Sequence, residues 1–66
     1  MTIGDIIKQL RIEKGLTQTE LATMLFTSQD TISLWERNKS LPDVESVIEL
    51  TKIFNVSADY ILGIEK

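Results

Sequence analysis

Apolar residues recur at helical spacing in five short stretches of this chain, and each stretch opens on a residue able to cap a helix. In the first, Ile3, Ile7 and Leu10 fall on one stripe, and Thr2 and Asp5 stand three apart as a capping box. Gly15 suits the left-handed position beyond the last turn, so a helix is expected from Ile3 to Lys14. In the second, Leu21, Ala22 and Leu25 form the stripe, with Gln18, Thr19 and Thr23 off it. Thr17 and Glu20 make another capping box, with Leu16 and Leu21 at the staple positions, so this helix starts at Gln18 and stops around Phe26. A third start follows at once: Thr27 and Ser28 are cap residues, and Ile32 and Trp35 share one face of a helix of about two turns. Pro42 and Asp43 open the fourth helix, whose apolar face is Val44, Val47, Ile48, Leu50 and Phe54, with Glu45, Glu49 and Lys52 mostly outside and Asn55 as the stop. Ser57 caps a fifth, in which Tyr60, Ile61 and Leu62 are expected to fold back on the core before Gly63 ends it. No stretch alternates in the manner of a strand, so the fold class is all-α.

The second and third helices are joined by only three or four residues, which forces them to cross at a large angle and predicts a helix-turn-helix over about residues 17–36. With Ile32 and Trp35 inward, the opposite face of the third helix carries Gln29, Asp30, Ser33 and Leu34, and Arg37 lies at its end. A helix of this width fits the DNA major groove. There glutamine pairs bidentately with N6 and N7 of adenine, serine donates or accepts, aspartate accepts from cytosine N4, and leucine meets a thymine methyl. Trp35 is in phase with Ile32 and is assigned to the core rather than to base stacking. Lys8 and Lys14 read as a solvated face.

Composition narrows the chemistry. Neither cysteine nor histidine occurs among the 66 residues, which removes disulfides, thiolate chemistry and the commonest metal ligand and acid/base group. The carboxylates are spread over helix exteriors and no glycine-rich phosphate loop is present, so neither enzymatic activity, a metal nor a cofactor is expected. No run approaches a membrane span and no signal-peptide pattern opens the chain, so a single cytoplasmic domain over residues 1–66 is expected. The net charge of −3 runs against the basic excess usual for DNA-binding domains. Residues 1–39 are balanced, however, and the whole deficit lies beyond them, leaving the less negative end of the molecule at the proposed reading helix.

Three segments, the LTQTELA run from Leu16, the S-x-x-TIS-x-WE-x-x-K-S-x-P run from Ser28 to Pro42 and the FNVSADYIL run from Phe54 to Leu62, agree in order and spacing with one pattern. On these the chain resembles the Cro/CI (XRE-type) family of phage and bacterial transcriptional regulators. The resemblance implies a compact five-helix bundle like the DNA-binding domain of phage repressors. It further implies a sequence-specific regulator of transcription, a repressor, that inserts helix 28–36 into the major groove of a double-stranded operator. Gln29, Asp30, Ser33 and Leu34 would then meet bases, although for Asp30, near the start of its helix, the preferred reading is structural, stabilisation of the helix dipole, with discrimination by repulsion as a by-product. Gln18, Ser28, Thr31, Arg37, Lys39 and Ser40 would meet phosphates, with the starts of the second and fourth helices and the backbone N–H groups near Lys39 and Ser40 helping to hold them. Arg11 would pair with Glu36 and fix the presentation of the reading helix. A homodimer on palindromic half-sites about 34 Å apart is implied, meeting around the fifth helix and Ile64.

The chain departs from the family pattern at three positions. Phe26 and Asn38 replace glycines, and Leu34 replaces a position often lysine or another polar residue. Asparagine tolerates left-handed backbone, but phenylalanine is strained there by about 1 kcal/mol, so the turn is expected to change its backbone and Phe26 to pack inward. Phe26, Leu34 and the acidic surface also define the alternative function, a protein-interaction module on a helix-turn-helix scaffold.

Overall fold

The computed structural model describes residues 1–64; the charges counted above at Glu65 and Lys66 lie outside the described residues. Five helices occur among the described residues: α1 (Ile3–Glu13), α2 (Gln18–Met24), α3 (Gln29–Glu36), α4 (Val44–Phe54) and α5 (Ala58–Leu62). Each is started by a side chain that accepts the N–H three residues along: Thr2 from Asp5, Thr17 from Glu20, Ser28 from Thr31, Asp43 from Ser46 and Ser57 from Tyr60. The capping boxes of α1 and α2 are both complete, with the Asp5 and Glu20 carboxylates accepting from the Thr2 and Thr17 backbones.

One apolar core joins them. Ile7 of α1, Leu21 and Ala22 of α2, Ile32 and Trp35 of α3, Val47 and Leu50 of α4 and Ile61 of α5 are buried together, ringed by half-buried Ile3, Leu10, Leu16, Leu25, Ile53, Phe54 and Val56. α3 packs on both α1 and α2, and α5 on α1 and α4, so the third helix is held from two sides. Gly4 makes the α1–α3 contact close: a Cβ there would collide with the Trp35 carbonyl and the Asn38 amide oxygen. Asn38 itself takes the left-handed conformation (φ 59°) and accepts from the Gly4 N–H at 3.3 Å. No helix among the described residues is long and apolar enough to cross a membrane.

Five expectations are corrected. Phe26 does not pack inward, and the turn does not abandon left-handed backbone. Phe26 has φ 56° and is 97% exposed, because that conformation lets the Thr27 N–H return to the Ala22 carbonyl (2.9 Å) and close the end of α2. Pro42 lies outside α4 rather than in its first turn, since Asp43 is the cap and Val44 the first helical residue. Val44 and Ile48 are exposed instead of buried, as are Tyr60 and Leu62; only Val47, Leu50 and Ile61 of these two helices reach the centre. Lys14 caps α1 rather than continuing it.

Candidate nucleic-acid interface

The site is built outward from a carboxylate beneath α3. Glu36, the last residue of that helix, is buried. Its Oε2 accepts from Arg11 Nε at 2.7 Å and its Oε1 from Arg11 Nη2 at 3.1 Å, a bidentate pair, while Arg11 Nη1 donates to the Leu16 carbonyl at 2.8 Å. This guanidinium therefore ties α1 to both the end of α3 and the entry to α2. Glu36 Oε1 also accepts from Gln18 Nε2 at 3.0 Å, and Gln18 Oε1 in turn accepts from Gln29 Nε2 at 2.6 Å. Four side chains from three helices thus form one line, Arg11 to Glu36 to Gln18 to Gln29, running from the interior to the solvent side of α3. Gln18 and Gln29 are each the first residue of their helix, which is why the two amides meet.

On the outward face of α3, Gln29, Asp30 and Leu34 are exposed and Ser33 is half-buried. Ser33 Oγ accepts from the Arg37 Nε at 3.1 Å, which holds that arginine along the helix end. Ser28 Oγ accepts from the Thr31 N–H at 3.2 Å and lies 3.0 Å from Thr31 Oγ1, so both hydroxyls take part in the cap. The amides of Gln18 and Thr19 at the head of α2 have no acceptor within their own helix, as at any helix start.

Two expected anion-holding elements take a different form. The N–H groups of Lys39 and Ser40 both turn back to the Leu34 carbonyl (2.9 and 3.4 Å), closing the end of α3, so only their exposed side chains remain outward. The start of α4 carries its own anion: the Asp43 carboxylate accepts the Ser46 N–H at 2.8 Å, and that bond holds its carboxyl below the usual carboxylate range. With Glu45 in the same first turn, this helix end presents negative charge rather than a place for a phosphate.

The relay through Gln18 escaped the sequence reading, which assigned that residue to phosphate alone. Its signal was present in the pair of glutamines at the two helix starts flanking one tight turn. A second feature also escaped it: Pro42, Val44, Val47, Ile48, Ala58 and Leu62 line a shallow apolar groove of about 270 Å³ between α4 and α5.

Residues 7–61 match the profile of a family described as helix-turn-helix. Over the whole chain the sequence is 39% identical to the HTH-type transcriptional activator BcrR of Enterococcus faecalis, of which it spans 32%. It is 36% identical over 96% of its length to the HTH-type transcriptional regulator ImmR of Bacillus subtilis, of which it spans 50%. The chain thus spans about a third of one of these curated relatives and half of the other. The crystal structure of the P22 c2 repressor in complex with synthetic operator 9T superposes with a TM-score of 0.91 at 31% identity, covering 98% of each chain.

Proposed function

Because this chain belongs to the Cro/CI (XRE-type) helix-turn-helix family, we propose that it regulates transcription by binding a double-stranded DNA operator sequence-specifically, acting as a repressor where the occupied operator excludes polymerase. The observation that carries this reading is the outward side of α3. Gln29, Asp30 and Leu34 stand in solvent opposite Ile32 and Trp35, on a helix clamped from beneath by Arg11 and Glu36. The likeness to a repressor bound to its operator supports the same reading.

In this function α3 lies in the major groove. Gln29 reads adenine, Ser33 meets a base edge, Asp30 accepts from cytosine N4 and repels bases that lack a donor, and Leu34 packs on a thymine methyl. Gln18 with the head of α2, Ser28, Thr31, Arg37 and the side chains of Lys39 and Ser40 face phosphates, which set register without carrying sequence. Two copies on a palindrome place their reading helices about 34 Å apart. The copies pair through the apolar α4–α5 groove and Ile64, whose exposed aliphatic side chains gain by being covered.

Selection of bound duplexes from a random pool, followed by affinity measurements at increasing salt, tests the proposal. The expected result is preference for one palindrome over random duplex and a steep loss of affinity as salt rises. No duplex binding at low salt overturns it.

A further inference from the structure

We propose that the α2–α3 turn, built around Phe26, is a contact surface for a second copy of this chain, through which dimers on neighbouring operators bind cooperatively. The inference rests on the DNA-reading function above and adds a contact between dimers to the one within them.

Three observations single out the turn. Phe26 is 97% exposed and holds left-handed backbone (φ 56°), so in the free protein its ring is neither packed nor relaxed. Met24 is exposed two residues away, and Thr23 spends its hydroxyl on the Thr19 carbonyl at 3.0 Å, so that side chain demands no polar partner. From Leu21 to Gln29 no residue carries a charge, in a chain of which 26% does.

Those properties choose the occupant. An apolar surface without charge is complementary to itself, because two of them brought together bury their rings and oppose no like charges. The α4–α5 face, with Glu45, Glu49 and Asp59 beside its groove, lacks that property. α2 packs on α3, whereas α5 packs on α4 and α1, and the turn contributes nothing to the groove. A pair of copies joined at the groove therefore keeps both Phe26 rings free. Two palindromes in line have a further two-fold axis midway between them, so the subunits that face each other across it present identical surfaces.

Area explains why this contact needs DNA. A phenylalanine offers about 150–250 Å², so two rings together bury at most roughly 500 Å², well below the ~1,200 Å² at which stable interfaces begin. Held on one duplex, the two copies meet at an effective concentration on the order of millimolar, and a contact too weak for free solution then forms.

The test uses the whole chain on duplexes carrying one or two copies of its selected palindrome, with the spacing stepped one base pair at a time. Binding at the second site is expected to be enhanced about tenfold, the scale of one aromatic pair. The enhancement is expected where both dimers lie on one side of the duplex, vanishing and returning with a period of about 10.5 base pairs. Phe26→Gly and Phe26→Asn both suit left-handed backbone. They are expected to keep wild-type affinity for the single palindrome and to lose the enhancement at every spacing. Enhancement retained by either variant overturns the proposal, as does wild-type binding that is independent at every spacing. A fall in single-palindrome affinity in both variants also overturns it, since the ring would then touch DNA rather than a second copy. Absence of duplex binding by the wild type would instead overturn the function on which the proposal rests, and the proposal with it.

Discussion

At Phe26 the backbone takes a conformation that the side chain disfavours. Left-handed backbone costs a bulky residue about 1 kcal/mol or more, and a phenyl ring 97% exposed gains nothing from burial to offset it. Phe26→Gly is therefore expected to stabilise the protein by roughly 0.5–1 kcal/mol after the entropy of glycine in the unfolded chain is counted, raising the melting temperature by about 4 °C. Phe26→Ala keeps the strain and is expected to melt with the wild type. Thermal unfolding of the two variants checks this, and a lower melting temperature for the glycine variant would show that the ring stabilises the turn. Residue type made four of the left-handed positions legible, since Gly15, Asn38, Asn55 and Gly63 all tolerate them. Phe26 misled because tolerance was the wrong criterion. With Ser28 already capping the next helix, the chain has two residues in which to turn, and only left-handed backbone lets Thr27 reach the Ala22 carbonyl.

Among the elements, α3 depends on α1 for its position. Gly4 admits the Trp35 carbonyl, the Asn38 side chain accepts from the Gly4 backbone, and Arg11 grips Glu36 from the other end of α1. Removing one partner of a buried pair leaves the other charge desolvated and alone, so Glu36→Ala is expected to cost about 3 kcal/mol. Glu20→Ala removes an exposed capping carboxylate and is expected to cost about 1 kcal/mol at most. Equal melting temperatures for the two variants would remove the claim. Helix starts were legible because a cap is a local event: Thr2, Thr17, Ser28, Asp43 and Ser57 each need only the residue three along. Burial is not local. Val44, Ile48 and Leu62 have the spacing of a core face, yet no element among the described residues covers them, and nothing in their own stretch distinguishes them from Val47, Leu50 and Ile61. The outward residues of α3 were legible by the same periodicity, because Ile32 and Trp35 left one side of that helix free. The link from Gln18 to Gln29 was not, since it depends on how two helices cross.

Over the whole molecule, charge is divided in the same way as the two proposed contacts. The α1–α3 half is balanced, whereas beyond Lys39 the described residues carry Lys52 against Asp43, Glu45, Glu49 and Asp59, with Lys52 lying 4.0 Å from Glu49. Glu45, Glu49 and Asp59 are chain neighbours of Val44, Ile48 and Ala58, which line the apolar groove. Two copies meeting there bury aliphatic surface while bringing like charges together. Salt reduces that repulsion once the screening length falls to about 10 Å, near 0.1 M, and does not weaken the apolar contact. DNA binding responds oppositely, because each phosphate neutralised by a cation releases counterions that added salt forces back. Self-association measured by sedimentation equilibrium is therefore expected to strengthen severalfold over the salt range in which single-site DNA affinity falls. Leu62→Glu, at a half-exposed position outside the core, is expected to abolish self-association at every salt concentration without unfolding the monomer. Self-association that weakens with salt would mean the copies meet through opposite charges, and the acidic α4–α5 face would then not be the surface they share.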